Sequence, residues 1–292
     1  MHSVDQIRSF NRTVTQYVGA LEAGFLGRDR PLGACRVLFE IGEHGIDIRD
    51  LRNRLELDSG YVSRLVRGLE SDGLVVGAPS KTDARVRALR LTAAGRKELS
   101  ALNGISDDRA DFLMSRLTDK QCEAMLSAMR DVVAMLSASA VEIAVEDPDS
   151  RAAIDCMTKY YDELAARFDT GFDPAKSAAA VSGELVPPNG VLLVARLHGR
   201  PVGCGALRRR GRIGEIKRMW VDAETRGLGI GRRLLNRLER VASELSIDVL
   251  RLETNRALKE AQALYGNSGY RGVKPFNDEA YADHWFEKRI AD

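Results

Sequence analysis

The sequence predicts two domains: a mainly helical first half that carries a small β-hairpin, and an α+β second half. Apolar residues recur at helical three- and four-residue steps through much of positions 4–140. Extended apolar runs separated by turn residues begin near residue 190. Between these patterns, residues 141–150 contain one proline and four acids and break the helical period. A length of 292 residues also suits two domains of ordinary size.

The composition excludes several classes of protein. With 44% hydrophobic and 29% charged residues it is typical of a soluble globular protein, and no apolar run reaches the length of a membrane span. The first residues lack the basic and apolar regions of a signal peptide. Four scattered cysteines without metal-ligand spacing indicate reduced thiols, a cytoplasmic location and no metal site. The net charge of +2 is uninformative, but residues 49–97 hold 11 Lys/Arg against 6 Asp/Glu.

The first half predicts a series of helices. A helix over 4–24 has Val4, Ile7, Phe10 and Val14 on one face. Further helices are expected over 34–41, from Asp47 to Leu55, and from Asp58 or Ser59 to about residue 72.

The last two of these helices form a helix-turn-helix pattern, and a hairpin follows them. Two short strands, 74–76 and 88–91, flank a polar loop with cations at its tip, which is the pattern of a β-wing. A recognition helix fits the major groove, and a cationic wing can contact phosphates. Solvated helix positions, or pairing of the wing arginines with Asp83 or other acids, are the alternatives. The candidate DNA-binding residues are Ser59, Tyr61, Ser63, Arg64, Arg67, Lys81, Arg85 and Arg87.

Three segments of this half resemble one known family. Residues 68–75 (GLESDGLV), 83–85 (DAR) and 89–95 (LRLTAAG) are similar to the MarR family of winged-helix repressors. The resemblance covers about residues 1–140. It implies an all-α, winged-helix domain that forms an obligate homodimer through its first and last helices and binds palindromic double-stranded DNA. Long helices over 93–117 and 119–140 suit that dimer.

We place the domain boundary in the break at 141–150, which gives predicted domains 1–143 and 149–292. Beyond it, a helix is expected from Ser150 to Phe168. A hairpin of strands 191–197 and 202–207 follows, and then a strand over 214–221.

The strand over 214–221 leads into the stretch on which the second half is organised. Arg226-Gly227-Leu228-Gly229-Ile230-Gly231-Arg232 lies between this strand and a helical pattern that contains Leu234, Leu235 and Leu238. Glycines let backbone N–H groups approach a phosphate, and the start of a helix attracts negative charge. The spacing is neither the dinucleotide fingerprint nor a P-loop. It predicts a phosphate-binding loop.

The order of motifs makes this prediction specific. After the loop and its helix come a strand over 249–254 and then Ala261-Gln262-Ala263-Leu264-Tyr265, with Gly269-Tyr270 behind it. This order resembles the GCN5-related N-acetyltransferase (GNAT) superfamily, over about residues 150–292. Both matches together resemble MarR–GNAT fusion regulators. The resemblance implies an α+β fold with a mixed, mainly antiparallel sheet, and acetyl-CoA as co-substrate. Its implied cofactor-binding residues are Met219, Trp220, Val221, Arg226, Gly227, Leu228, Gly229, Ile230, Gly231 and Arg232.

Acetyl transfer to an amine needs a base, because most amines are protonated at pH 7. Glu215 is one candidate, with pairing to Lys217, Arg218 or a cross-strand arginine as the alternative. His284 is the other candidate base or an acceptor contact. Tyr265 matches the superfamily tyrosine that donates a proton or hydrogen bond to the departing sulfur.

The acceptor is a primary amine of a small molecule, expected at Arg167, Phe168, Phe172 and Arg218. Arginines there would suit an amino acid, whereas acidic residues of the tail would suit a polyamine or aminoglycoside; a protein lysine is a further option. Two other functions stay open. The second domain could be a non-catalytic acetyl-CoA or metabolite sensor, or the winged helix could serve only dimerisation.

Overall fold

The computed structural model describes residues 3–22, 24–79, 87–177 and 182–290. The chain divides into two compact units, residues 1–128 and 129–292. Among the described residues, no helix combines the length and apolarity that a membrane crossing requires.

The first unit is mainly helical. Its helices are α1 (Ser3–Tyr17), α2 (Leu32–Ile41), α3 (Ile48–Leu55), α4 (Ser59–Ser71) and α5 (Ala93–Met114), and α6 (Asp119–Ser139) begins in it. Helix α1 ends earlier than the predicted residue 24, because Gly19 adopts a left-handed φ of 70° and the chain turns there. The carboxylate of Asp58 caps α4 by accepting a hydrogen bond from the N–H of Tyr61 at 3.0 Å.

The predicted wing strands are present. Strand β1 (Ile46–Asp47) pairs with β3 (Arg87–Leu91), which pairs antiparallel with β2 (Val75–Pro79). Buried Val37, Leu38, Val62 and Leu89 hold this sheet against the helices. Residues 80–86, which include Lys81 and Arg85, lie outside the described residues.

Two helices carry apolar side chains that stay at the surface. No residue of α1 is buried, and Ile7 and Phe10 are 61% and 48% exposed. No residue of α6 is buried either, although it carries Met129, Val133 and Leu136. An apolar stripe that the chain leaves uncovered marks an interaction surface.

The segment in which we placed the domain boundary contains a strand. Residues Val141–Glu146 form strand β4, which pairs antiparallel with β5 (Gly190–Leu197) from Val141↔Leu197 to Glu146↔Leu192. The period-2 pattern places Val141 and Ile143 toward the core while Glu142 and Ala144 are exposed. The sheet of the second half therefore begins at Val141, before the predicted limit of 149.

The second unit is built on a mixed sheet, mainly antiparallel as predicted. Its remaining strands are β6 (Arg200–Arg210), β7 (Ile213–Val221), β8 (Val249–Thr254), β9 (Arg271–Val273) and β10 (His284–Arg289). The described residues give seven strands in the order β4-β5-β6-β7-β8-β10-β9, and among these neighbours β7 and β8 run parallel.

Helices cover both faces of this sheet. Alternate residues of β5 point to opposite faces, so Leu192 and Val194 pack toward α7 (Arg151–Arg167). Val191 and Leu193 pack toward α8 (Ile230–Glu244) instead. Cys204 is fully buried in the α7 layer, as expected of a small core residue. Helix α9 (Lys259–Gly266) follows β8.

Two irregularities of β7 create the space for a site. Strands β7 and β8 pair only from Ile213↔Val249 to Glu215↔Arg251 and separate beyond that point. On the other side, Ala206 faces Lys217 and Cys204 faces Trp220, so one residue of β6 opposes two of β7. The extra residue makes a β-bulge in which Arg218 has a left-handed φ of 56°. Beyond Glu215, β7 therefore leaves β8, while it stays paired with β6 on both sides of the bulge.

Candidate functional site

The predicted phosphate loop joins β7 to α8. Gly227 and Gly229 have φ values of 84° and 71°, a conformation that residues with a Cβ rarely adopt. Gly229 occupies the N-cap position of α8 and has no side chain to cap it. The N–H groups of Ile230, Gly231 and Arg232 in the first turn therefore remain available to an anion.

A cavity of about 410 Å³, which we call the cofactor cavity, opens in front of this loop. Nine of the ten predicted cofactor-binding residues line it: Met219, Trp220, Val221, Arg226, Gly227, Gly229, Ile230, Gly231 and Arg232. The tenth, Leu228, instead packs against the apolar core between the sheet and α8. Its side chain alternates with the glycines and points away from the open face of the loop.

Arg226 does not stand alone at the cavity. One of its terminal nitrogens donates to both carboxylate oxygens of Glu163 at 2.6 Å. Glu163 also accepts from the indole N–H of Trp220 at 2.9 Å and from Arg167 at 3.1 Å. Burial alone would raise the pKa of Glu163, but the hydrogen bonds from Arg226, Arg167 and Trp220 outweigh burial and lower it. Glu163 therefore stays ionised beside the loop.

Arg167 was predicted to contact the acceptor, and the structure places it elsewhere. It lines the cofactor cavity, where its guanidinium is paired with Glu260 and donates to the carbonyl of Ala257 at 2.7 Å. The hydrogen bond from Arg167 lowers the pKa of Glu260 to about 2. Helical periodicity predicts which face of α7 carries Arg167. It does not predict the ion pair, because Glu260 of α9 lies 93 residues later in the sequence.

A second cavity, of about 100 Å³, lies where β7 and β8 separate. We call it the acceptor cavity, because three of the four predicted acceptor residues line it. It adjoins the cofactor cavity. Both cavities share six lining residues: Tyr160, Leu164, Met219, Leu258, Ala261 and Tyr265. A group bound in one cavity can therefore meet a group bound in the other at this junction.

Three of the four predicted acceptor residues line the acceptor cavity. Phe168 is buried at the end of α7, and Phe172 lies 6.0 Å from it between ring centroids. Arg218 reaches the cavity from the bulge of β7. Tyr161 and Tyr281, which the sequence did not single out, complete an aromatic wall with these phenylalanines.

A buried ion pair spans the gap between the two separating strands. Lys217 of β7 pairs with Glu253 of β8, and their side chains are 9% and 7% exposed. Glu253 lines the acceptor cavity, and sequence reasoning placed it in the strand without a role. Its position in the sequence could have indicated a role in the site, because Glu253 lies at the carboxyl end of a strand, where ligand sites of α/β sheets open.

Tyr265 lies at the junction of the cavities, as its predicted role requires. It is 5% exposed, and burial, followed by the nearby charge of Glu253, raises the pKa of its phenol well above the ordinary value. Tyr160 was missed by the sequence and also lines both cavities. Burial raises the pKa of Tyr160 as well, so both hydroxyls hold their protons at neutral pH.

Neither candidate base from the sequence, Glu215 or His284, lines the cofactor cavity or the acceptor cavity. Glu215 is paired with Arg208 of the neighbouring strand, with an Nε to Oε2 distance of 2.9 Å. This is the cross-strand pairing that the sequence had left open. His284 is exposed at the first residue of β10, opposite Thr254, with its ring 6.5 Å from that of Phe286. The prediction of Glu215 or His284 as base does not fit this geometry.

The recognition-helix candidates lie in the first unit. Ser59, Tyr61, Arg64 and Arg67 are exposed on α4, while Val62, Val66 and Leu69 of the same helix are buried. Half-buried Ser63 donates its hydroxyl proton to the carbonyl of Ser59 at 2.7 Å.

Arg87, the described cation of the wing, is paired with Glu70 of α4. Pairing with an acid was the alternative interpretation of this residue. Arg64 and Arg67 therefore carry the positive charge that α4 offers at its surface.

Comparison with known protein families gives two matches, in the order that the motifs predicted. The model of the acetyltransferase (GNAT) family matches residues 155–270, and that of the MarR family matches residues 27–86. A MarR-family domain precedes a GNAT-family acetyltransferase domain in this chain.

Two curated relatives share part of the sequence. An IAA acetyltransferase from Azospirillum brasilense is 43% identical over 94 residues, which are 32% of this chain and 61% of that protein. An uncharacterized N-acetyltransferase from Schizosaccharomyces pombe is 36% identical over 93 residues, 31% of this chain and 57% of that protein. The chain thus spans about three fifths of the length of each relative.

Among solved structures, an acetyltransferase of the GNAT family from Staphylococcus aureus is 21% identical to this chain. The match covers 52% of this chain and 100% of that one, with a TM-score of 0.46.

The GNAT domain has features that fit the acetyl-CoA used by its family. The loop offers backbone N–H groups and Arg226 to a pyrophosphate. The cavity continues along the separating edge of β7, past Met219, to the buried hydroxyl of Tyr265. The anion site at one end fits the pyrophosphate of acetyl-CoA, and the apolar channel at the other end fits its thioester arm.

Proposed function

We propose that the GNAT domain moves an acetyl group from acetyl-CoA to the primary amine of a small molecule, and that the MarR domain binds palindromic DNA as a homodimer. The junction of two cavities at Tyr265 and Met219, inside the gap between β7 and β8, carries the enzymatic part. A thioester held at the loop and an amine held in the acceptor cavity would meet there. Such positioning converts a bimolecular reaction into an effectively unimolecular one.

The loop at Arg226–Arg232 orients the co-substrate. Backbone N–H groups of the first turn of α8 hold the pyrophosphate, and Arg226 adds a charge-assisted contact. When bound, acetyl-CoA supplies an activated acetyl group as a thioester. Main-chain groups of β7 around Met219, beyond the point where β7 and β8 separate, bind the arm of acetyl-CoA and donate to the carbonyl oxygen as charge develops on it.

Glu253 replaces Glu215 as the proposed base. Its carboxylate lines the acceptor cavity close enough to Tyr265 to raise the pKa of that phenol. It accepts the proton of the incoming ammonium directly or through one water, and Lys217 keeps its carboxylate in place. Tyr265 then gives its phenolic proton or a hydrogen bond to the departing sulfur, because burial keeps this phenol protonated.

The surface of the MarR domain supports the DNA-binding part. Arg64 and Arg67 are exposed on α4, the second helix of the helix-turn-helix. The uncovered apolar stripe of α1 would be buried in a homodimer, which places two copies of α4 on two half-sites of a palindrome. Replacement of Arg64 by glutamine should then reduce the salt dependence of DNA affinity by about one unit of slope if it contacts a phosphate. The cytoplasmic location stays a prediction.

Release of free thiol from acetyl-CoA, measured with purified protein across a panel of amines, tests the enzymatic proposal. Turnover with a small amine would support it. Calorimetric binding of acetyl-CoA without turnover on any amine would favour the alternative, a DNA-binding regulator whose GNAT domain is a non-catalytic sensor. Equal affinity for all DNA sequences would favour a winged helix that serves only dimerisation.

A further inference from the structure

Aromatic rings are concentrated in the acceptor cavity. The chain has 17 aromatic residues of the Phe, Trp and Tyr types, and six of them line this cavity. Two, Tyr160 and Tyr265, lie at the junction with the cofactor cavity. The other four form a wall at the far end: Tyr161, Phe168, Phe172 and Tyr281. The acceptor's non-reacting end therefore meets a surface of rings.

The wall is a connected arrangement of ring contacts. Phe172 is at its centre, with ring centroids 5.5 Å from Tyr161, 6.0 Å from Phe168 and 4.9 Å from Tyr281. The hydroxyl of Tyr281 accepts a hydrogen bond from the N–H of Asp173 at 2.9 Å, which ties the tail to the loop that carries Phe172. A wall that is fixed before binding loses little entropy when a ligand arrives.

The volume and the charge of the cavity restrict the ligand further. An apolar cavity of about 150 Å³ holds one benzene molecule. The acceptor cavity, at about 100 Å³, is no larger than this, so its volume limits the acceptor to at most one ring and excludes several linked sugar rings. Its charged lining residues are Lys217, Arg218, Glu253 and Glu279, so the formal charges cancel. Arg167 is paired with Glu260 in the cofactor cavity and adds no positive charge here. The acceptor cavity therefore has no excess negative charge that would attract a polycation and no excess positive charge that would attract a carboxylate.

We propose that the acceptor is an arylalkylamine, a primary amine joined by a short chain to a single aromatic ring. The ring stacks in the wall around Phe172, and the amine reaches past Glu253 to the junction at Tyr265. Aromatic pairs at such distances contribute beyond their buried area, which gives the wall a preference for a planar ring. This inference rests on the proposed acetyl transfer and names its substrate class.

A matched pair of amines tests the class. The ring of 2-phenylethylamine is planar and aromatic, while 2-cyclohexylethylamine has the same chain and a saturated ring. We expect a kcat/KM about tenfold higher for the aromatic amine, from the added ring–ring contacts. Spermidine and kanamycin, as a polyamine and an aminoglycoside, should be acetylated at least as poorly as the saturated amine.

Variants of the wall separate ring recognition from folding. Phe172→Leu should remove most of the preference for the aromatic amine, so that its kcat/KM falls toward the value for the saturated amine. Tyr281→Leu should do the same, and Tyr281→Phe, which keeps the ring, should retain the preference. Phe276→Leu is the matched control, because Phe276 packs under Arg251 and does not line the cavity. A variant that merely misfolds would lose both activities together.

Each outcome has a distinct meaning. Equal kcat/KM for the two amines, or a preference for spermidine or kanamycin, would overturn the arylalkylamine class and leave acetyl transfer in place. An unchanged preference in both Phe172→Leu and Tyr281→Leu would also overturn it. Absence of thiol release with every amine, despite acetyl-CoA binding in calorimetry, would remove the proposed acetyl transfer itself and the inference with it.

Discussion

The guanidinium of Arg226 lies 2.6 Å from both carboxylate oxygens of Glu163, and both residues line the cofactor cavity. The loop sequence predicts this arginine as a pyrophosphate ligand, yet in the structure one of its terminal nitrogens already donates to a protein carboxylate. Glu163 accepts from Trp220 and Arg167 as well, which holds it in place. A phosphate that binds Arg226 must therefore compete with Glu163.

Replacement of Glu163 by glutamine should tighten acetyl-CoA binding. The uncharged amide competes less well for Arg226 and no longer repels the phosphates, so we expect a dissociation constant lower by about fivefold. Calorimetry would measure it. Glu224→Gln is the matched control, because Glu224 pairs with Arg200 at the surface of the preceding turn. Weaker binding in Glu163→Gln would mean that Glu163 orients Arg226 instead of competing for it.

Tyr265→Phe should lower kcat by about 100-fold and leave acetyl-CoA affinity nearly unchanged, since only the proton donor is removed. Burial raises the pKa of this phenol, so its ionisation should not produce a fall in wild-type kcat below about pH 10. Stopped-flow or steady-state thiol release would measure both. Tyr270→Phe serves as control, because its ring is 6.0 Å from Tyr265 but lines neither cavity. Equal effects of the two substitutions would remove Tyr265 as the acid.

Glu253→Gln should lower kcat/KM and flatten the acidic limb of its pH profile, whereas Glu215→Gln should leave that limb in place. Glu253→Gln also leaves Lys217 buried without its carboxylate, which destabilises the domain. The double variant Lys217→Met with Glu253→Gln removes this charge and should recover thermal stability but not activity. If the double variant regains wild-type turnover, Glu253 is structural and is not the base.

The Arg167–Glu260 pair should make stability depend on pH in one direction. The pKa of Glu260 falls from 4.5 to about 2 in the folded state. A depressed pKa stabilises the fold above the unfolded value, and that contribution is lost as pH falls from about 4.5 toward 2. Because the Glu260 side chain is 53% exposed, solvent screening limits the effect to about 0.5 kcal/mol.

Thermal unfolding between pH 3 and 7 would measure this contribution. Glu260→Gln should lower the unfolding free energy most near pH 7, and the difference from the wild type should shrink toward pH 3. In an Arg167→Gln background the same substitution should have no effect. A difference that grows as pH falls would contradict the assignment.

Ile7→Asp should dissociate the proposed homodimer. Ile7 is 61% exposed on the apolar stripe of α1, and a charge buried in an apolar interface costs far more than it gains. We expect the dimer dissociation constant to rise at least about 100-fold, measured by sedimentation velocity. Ser9→Asp, on another face of the same helix, should leave the dimer intact. A monomeric wild type at micromolar concentration would remove the homodimer from the proposal.

Local patterns were sufficient to predict most of the helices and strands and the glycine loop between β7 and α8. The loop from Arg226 to Arg232 is contiguous, and glycine spacing followed by a helix start defines it without distant partners. The period-2 and period-3.6 patterns likewise predicted β5 and α7 close to their observed bounds, and they predicted the presence of β6 and α8. Strand β4 was not predicted, because the strand pairing of Val141–Glu146 depends on β5, which lies more than 40 residues later.

The catalytic and acceptor residues required the tertiary structure. Glu215 and Glu253 are both acids on neighbouring strands, and their local sequences do not reveal that Arg208 pairs with the first while the second lines a cavity. Arg167 was displaced from the acceptor to the cofactor cavity by its pairing with Glu260. Ion pairs of this kind join residues far apart in sequence.

The order of the two domains, most of the helices and strands and the glycine loop follow from local sequence, because each depends on residues within one or two turns of chain. Which charged and aromatic side chains meet depends on the tertiary structure. The early separation of β7 from β8 and the bulge at Arg218 open the acceptor cavity, and these depend on strand pairing rather than on residue type. The wall of Tyr161, Phe168, Phe172 and Tyr281 arises because a helix, its loop and the tail converge in space over that opening.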